Sequence, residues 1–274
     1  MLDAGCWMLD AGCWILLKSL PIKELMVERE LFYVLPEDVF DDTLRLQRQE
    51  VHHLVKVHRK KKGDFFIAVD GRGTGYDCEI ESLDKNNLTA KILKKYRFYG
   101  ESLFKLTLAL AISKKSRFEW VIEKATEVGV TGIIPLLTKR TARNEQNLQA
   151  QRCERIALAA MKQSCRSFLP TITAVKNFAS LCENSSNFDI KLIAHEKETG
   201  NNLNDIFQLK ENVLQRIKSG IVCIGPEGGF TNEEIELAKS SGFTTFGLGP
   251  RRLRTETAAL VSASLILNRM GELQ

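Results

Sequence analysis

The sequence predicts an α/β protein in which a small strand-rich module precedes a larger domain of alternating strands and helices. Three observations predict it. Residues 31–98 hold short runs of β-forming residues at close spacing, the pattern of a small barrel. From residue 103 onward, buried-strand runs alternate with segments of helical period, which argues for a largely parallel sheet. Between them stands Tyr99-Gly100-Glu101, where the boundary is placed.

In the first module, residues 31–34 and 65–69 read as strands, and Asp70-Gly71-Arg72-Gly73 is a strong turn signal after the second. Residues 76–80 and 88–93 alternate like further strands. In the second, residues 106–111 form a buried-strand run. Phe118, Val121, Ile122, Ala125 and Val128 then recur at helical spacing. Residues 133–137 are a second strand and 146–164 a long helix. Short apolar strands follow at 190–194 and 221–224. Thr231-Asn232-Glu233-Glu234 has the form of a capping box, and Gly242 stands where that helix should stop. A last strand covers 243–248 and a last helix 256–270. From Ala258 to Leu267 that helix is apolar almost all round, as in helices that are buried or shared with a second subunit.

The net charge of +5 permits a nucleic-acid partner without requiring one. The seven cysteines are irregularly spaced with no CxxC pair, which reads as reduced thiols. No apolar run approaches the roughly 18 residues of a membrane span. MLDAGCW occurs twice at the amino terminus. Residues 1–25 are read as an added leader, and Met26 as a natural start. The expected domains are therefore 26–99 and 100–274.

Two loops could carry chemistry. Gly225-Pro226-Glu227-Gly228-Gly229 leaves a buried strand and enters a capped helix, so a ligand can approach its backbone closely. A tight turn would need the same glycines, and the loop is neither a P-loop nor GxGxxG. Leu248-Gly249-Pro250-Arg251-Arg252-Leu253-Arg254-Thr255-Glu256-Thr257 places three arginines before a helix start, where anions are favoured. Thr255 capping that helix, with Glu256 in its first turn, explains those two residues but not the arginines.

These two loops are similar to the paired carboxy-terminal signature of the RsmE family, uridine-N3 methyltransferases of small-subunit ribosomal RNA in the knotted SPOUT superfamily. Glu119-Trp120 with 124–130, Gln163-Ser164-Cys165-Arg166 with Pro170, and His52-His53 with Val57, Arg59 and Gly63-Asp64 also match, in the same order. The resemblance spans about residues 26–273. His58 and Arg252 depart from it, since both positions are usually aliphatic in the family.

The resemblance implies a PUA-like RNA-binding β-barrel, then a SPOUT methyltransferase domain with a carboxy-terminal knot. It implies a cytoplasmic homodimer acting on 16S rRNA or the small ribosomal subunit, with S-adenosylmethionine as cofactor. Three loops of the knot, the segment after Leu192 to His195, the Gly225–Gly229 loop and the Leu248–Arg254 loop, would hold the cofactor through Leu192, His195, Gly225, Pro226, Glu227, Gly228, Gly229, Leu248, Gly249, Leu253 and Thr257. Arg254 would stabilise the charge that develops as uridine N3 loses its proton, supported by Arg251, with Glu256 as candidate base. Arg59, Lys60, Lys61, Lys62, Lys114, Arg166 and Arg251 are candidate RNA contacts. A charge run is also often a solvated turn, Lys114, Lys115 and Arg117 make a second candidate patch, and Arg166 could equally pair with a carboxylate.

No metal is expected, because His52, His53 and His58 lack Cys or acidic partners at ligand spacing. Cys165 and Cys223 lie near motifs and could be nucleophiles, although ordinary buried thiols fit them better. Trp120 is read as core and not as a base-stacking platform; His195 either lines the cofactor site or ends a strand. A ribose 2′-O-methyltransferase of the same superfamily and a non-catalytic RNA-binding protein are the competing functions. The stretch from Leu253 to Ala258 argues against the first, and the two glycine loops against the second.

Overall fold

The structure, a computed structural model, describes residues 31–84, 86–141, 148–208 and 216–273. The proposed leader and the first two residues of the helix expected from Gln146 lie outside these.

In the first module, β1 (Leu31–Tyr33), β2 (Thr43–Leu46), β3 (Phe65–Val69), β4 (Thr74–Leu83) and β5 (Leu88–Arg97) form one sheet in the order β1-β3-β4-β5-β2. β1 is parallel to β3 and the other ladders are antiparallel. The expected turn at 70–73 forms as the sequence suggests. Asp70 Oδ1 accepts the N–H of Arg72 at 2.8 Å and of Thr74 at 3.0 Å, while Gly71 and Gly73 take positive φ. β2 escaped the sequence reading because its two buried leucines are too few to establish a period. A short helix, α1 (Arg48–His52), continues into a π-helical turn, His53–Val57, that buries Leu54. Among the described residues no ladder joins β1 to β2, so the sheet is open in its hydrogen bonding.

In the second module, β6 (Lys105–Ala111), α2 (Lys115–Val128), β7 (Gly132–Leu137), α3 (Ala150–Gln163), β8 (Thr171–Ile172), β9 (Lys176–Asn177), α4 (Phe178–Glu183), β10 (Ile190–Ala194), α5 (Leu203–Gln208), β11 (Ser219–Ile224), α6 (Asn232–Ser240), β12 (Thr244–Phe246) and α7 (Thr255–Arg269) follow in turn. The sheet order is β12-β10-β11-β6-β7-β8, with β9 also on β7, and every ladder is parallel. Such a sheet must be covered on both faces. Leu108, Leu110, Leu192, Val222 and Ile224 point to one face and pack with Phe118, Val121, Ala157 and Ile266. Their neighbours Ala109, Ile193, Ile221 and Cys223 point to the other and pack with Phe178, Leu181 and Ile235.

The helix ends follow their sequence signals. Gly129, at φ 116°, closes α2 by donating its N–H to Ala125 and Thr126 carbonyls. Thr231 and Glu234 form the complete capping box of α6. Trp120 corrects its expectation: it is 42% exposed. It lies about 200° round α2 from Phe118, away from the buried face.

The two modules form one compact unit, Leu31–Gln274. The contact uses Leu31, Ile67 and Val69 against Met161, together with a 2.6 Å ion pair between Lys162 and Glu50. The linker passes so close to Cys165 that a side chain on Gly100 would overlap its carbonyl oxygen. This junction lies by the starts of β6 and β7, opposite the carboxy-terminal strand ends.

Candidate functional site

At the carboxy-terminal ends of β10, β11 and β12, three loops enclose a cavity of about 800 Å³. This is where parallel sheets place their ligand sites, since the loops leaving adjacent strands diverge there. One loop runs from His195 to Asn202, the second from Gly225 to Phe230, and the third from Gly247 to Leu253.

The glycine loop is held by its carbonyl oxygens. Thr255 donates its hydroxyl to the Gly225 carbonyl at 3.2 Å, Arg252 donates Nη2 to Glu227 O at 3.0 Å, and Arg140 donates to Gly228 O. Gly229 N–H closes a turn onto Pro226 O at 2.8 Å. Arg117 pairs with the Glu227 carboxylate, and its Nε lies 3.8 Å from Glu256 Oε1. Glu234, buried at the start of α6, accepts the N–H of Thr231 and of Lys139, each at 2.8 Å.

The first and third loops are fastened together. Glu198 accepts the Thr245 hydroxyl at 2.7 Å and the N–H groups of Gly200 at 2.9 Å and Asn201 at 3.2 Å. The Thr245 hydroxyl, then the Gly200 and Asn201 amides, hold its carboxyl below the usual range. Gly247 donates its N–H to Asn201 O at 2.9 Å, and a methyl group there would overlap the Glu198 carbonyl oxygen. His195 donates its N–H to Phe246 O at 3.0 Å, and burial, then Lys197, lower its imidazole pKa.

The structure brings together His195, Gly225, Pro226, Glu227, Gly229, Leu248, Gly249, Leu253 and Arg251 of the expected site. Leu192 is a correction: it is fully buried in the sheet core, one strand turn below the cavity. Gly228, Thr257, Arg254 and Glu256 do not line the cavity. Arg254 is exposed at the N-cap of α7 and makes no side-chain cap bond. Thr255 is the first residue within the helix and not its cap, so its hydroxyl is free to reach Gly225.

Arg166 is the clearest correction. It is 3% exposed, paired with Glu101, and its Nη1 donates to the carbonyls of Thr126 at 2.6 Å and Val130 at 3.0 Å. A side chain so enclosed contacts no RNA. Arg117, committed to two carboxylates, is likewise no free cation, whereas Lys114 is exposed. Arg59, Lys60, Lys61 and Lys62 lie on the first module and do not line the cavity. Cys223 is fully buried and its thiol is raised well above its ordinary pKa by that burial; Cys165 is raised for the same reason, so neither suits a nucleophile.

The resemblance pointed to the loop after His195 and to the Leu248–Arg254 loop without naming Glu196 to Asn202, Pro250 or Arg252 singly, and it missed Gly247, Phe230 and Ala258. The polar run Glu196-Lys197-Glu198-Thr199 directly after a buried strand was the available signal. The cavity suits a nucleoside joined to an amino acid. Its size lies within the usual range for small-molecule sites. Ile224, Leu248, Leu253 and Ala258 offer apolar surface, while Glu196, Lys197, Arg251 and Arg252 offer both charges.

Residues 100–267 match the model of an RNA methyltransferase domain, and residues 46–93 that of an RNA methyltransferase PUA domain. The chain is 32% identical to the ribosomal RNA small subunit methyltransferase E of Bacillus subtilis, over 82% of this chain and 89% of that one. It is 32% identical to the protein of that name from Synechocystis, over 90% of this chain and 82% of the relative. The crystal structure of a ribosomal RNA small subunit methyltransferase E from Neisseria gonorrhoeae bound to S-adenosyl methionine superposes with a TM-score of 0.76 at 28% identity. That alignment covers 88% of this chain and 98% of the other.

Proposed function

The chain belongs to the ribosomal RNA small subunit methyltransferase E family, and from that premise we infer that it transfers a methyl group from S-adenosylmethionine to N3 of a uridine in 16S rRNA. The single observation that carries this is the three-loop cavity, whose residues fit that cofactor and whose glycine loop and arginine loop are the segments of the family resemblance. Bound there, the cofactor supplies an electrophilic methyl group, so the protein need provide no nucleophile.

The protein's work is positioning and charge stabilisation. Thr255, Arg252 and Arg140 hold the glycine loop in place for the cofactor. Arg254, exposed at the N-cap of α7 between the cavity residues Leu253 and Thr255, faces the negative charge that develops on the uracil carbonyls as N3 loses its proton. Arg251 supports it at the cavity rim. Glu256 is the proton acceptor in this reading: its Oε2 is withdrawn from solvent and makes no hydrogen bond in the protein.

The larger architecture follows the same reading. In this reading the described residues up to Tyr99 form the PUA-like RNA-binding barrel and those from Gly100 onward the knotted SPOUT domain. Closure of the barrel is supported by a single core that takes Phe32 from one edge strand and Leu44 and Leu46 from the other. The close passage of Gly247 against Glu198 and Asn201 supports threading of the carboxy-terminal segment. Homodimerisation is supported by Leu265 on α7, 44% exposed, and Trp120 on α2, the helix packed against it. Arg59, Lys60, Lys61, Lys62 and Lys114 contact RNA phosphates. Among the described residues no helix is long and apolar enough to cross a membrane, and a ribosomal substrate places the enzyme in the cytoplasm.

The test is to incubate the chain with S-adenosylmethionine and either 16S rRNA or small subunits, then map modified nucleotides by mass spectrometry. One N3-methyluridine is the expected product. A ribose methyl would favour a 2′-O-methyltransferase, and no methylation of either substrate together with no cofactor binding would leave an RNA-binding protein.

A further inference from the structure

We propose that Glu196 reads the positive charge of the cofactor's sulfonium and so lets the site distinguish the methyl donor from its demethylated product. This rests on the reading that the cavity binds S-adenosylmethionine.

Three carboxylates line the cavity: Glu196, Glu198 and Glu227. Two are already committed within the protein. Glu198 is filled by the Thr245 hydroxyl and two backbone N–H groups. Glu227 pairs with Arg117. Glu196 has no hydrogen bond or ion pair among the described residues. Its Oε1 stands 3.4 Å from the point where a Cβ on Gly229 would lie, so the bare backbone of the glycine loop gives it room. Gly229 takes φ 70°, a conformation that glycine adopts without strain and that keeps a side chain away from this carboxylate.

The cofactor carries a sulfonium, an ammonium and a carboxylate, for a net charge of +1. When the S–CH₃ bond breaks, sulfur keeps the electron pair and becomes a neutral thioether, so the product has no net charge. A carboxylate with no internal partner, in a cavity walled partly by Ile224, Leu248 and Leu253, is therefore attracted to the donor more than to the product. Glu196 is exposed, so solvent partly screens the attraction, and it vanishes when the methyl group leaves, which favours product release.

The experiment is calorimetric titration of the full chain with S-adenosylmethionine and with S-adenosylhomocysteine, for wild type and Glu196→Gln. The substitution should weaken binding of the methyl donor by about tenfold, the size of one partly screened charge contact, and change binding of the product less than about twofold. The difference should shrink as salt is raised. Equal weakening of both ligands would show that Glu196 touches a group they share, and unchanged affinities would show that it touches neither; each overturns the proposal. If the wild type bound neither ligand, the cofactor reading itself would fall and this one with it.

Discussion

Arg166 Nη2 lies 2.8 Å from Glu101 Oε2, with the two side chains only 4% and 3% exposed. The pair joins three parts of the fold. Glu101 sits on the linker between modules and also accepts the N–H of Ser167 at 2.8 Å and Phe168 at 2.7 Å. Arg166 follows α3 and fastens the carbonyls at the end of α2. Each guanidinium nitrogen and both carboxylate oxygens of the pair thereby have a partner, which is the condition under which buried charges are tolerated.

Arg166→Met should lower the unfolding free energy by about 3–5 kcal/mol, because it strands the Glu101 carboxylate away from water. Adding Glu101→Gln should recover part of that loss. Urea unfolding of the two variants measures both effects. RNA affinity of the folded single variant should match wild type; a large drop would return Arg166 to the RNA interface.

Gly247→Ala should abolish cofactor binding with little effect on the rest of the fold. The added methyl meets the backbone of Glu198, which cannot swing aside as a side chain would, so the first and third loops must separate. Calorimetry with S-adenosylmethionine reads the outcome, and wild-type affinity would mean the loops are not coupled in this way.

Arg254→Ala should lower turnover by about 10²–10³ while leaving cofactor affinity nearly unchanged, the signature of a group that acts on developing charge. Single-turnover methylation of 16S rRNA separates the two quantities. A near-normal rate would remove Arg254 from the chemistry.

Glu198 sets a pH dependence. Its hydrogen bonds favour the ionised form, so its folded pKa lies below its ordinary 4.5. Its contribution to stability is full above that ordinary value and is lost as pH falls through the lower folded one. The melting temperature of Glu198→Gln should therefore fall below wild type by a constant margin near neutrality. That gap should close as pH falls from 4.5 through the lower folded value; a gap that closes near neutrality would point to a different group.

Replacing Lys60, Lys61 and Lys62 together by Ala should weaken RNA binding and flatten its salt dependence. Losing three phosphate contacts should reduce the log–log slope by about two on single-stranded RNA. Filter binding over a salt series gives the slope, and an unchanged slope would return these lysines to a solvated turn.

Much of the fold was legible because its signals are local. Strands 65–69 and 190–194 were read to their observed ends, and the capping box at Thr231 and the stop at Gly242 were read from a few neighbouring residues. The glycine and arginine loops were visible as motifs, and their order along the chain carried the family resemblance. Trp120 and β2 were not legible in the same way. The tryptophan sits beside a helical stripe and not in it, and four residues are too few to show a period.

The alternation of elements, the site-bearing loops and the family could be read along the chain, since each depends on residues close in sequence. The internal ion pair of Arg166, the place of Leu192 below the cavity, the reach of Thr255 to Gly225, and the extent of the loop after β10 along the cavity wall follow from the packing of distant segments. The reason is physical. Hydrophobic period and capping chemistry report which face of an element avoids water, but the partner of a buried charge or hydroxyl is set by which distant segments the packed core brings within 3 Å or so of it.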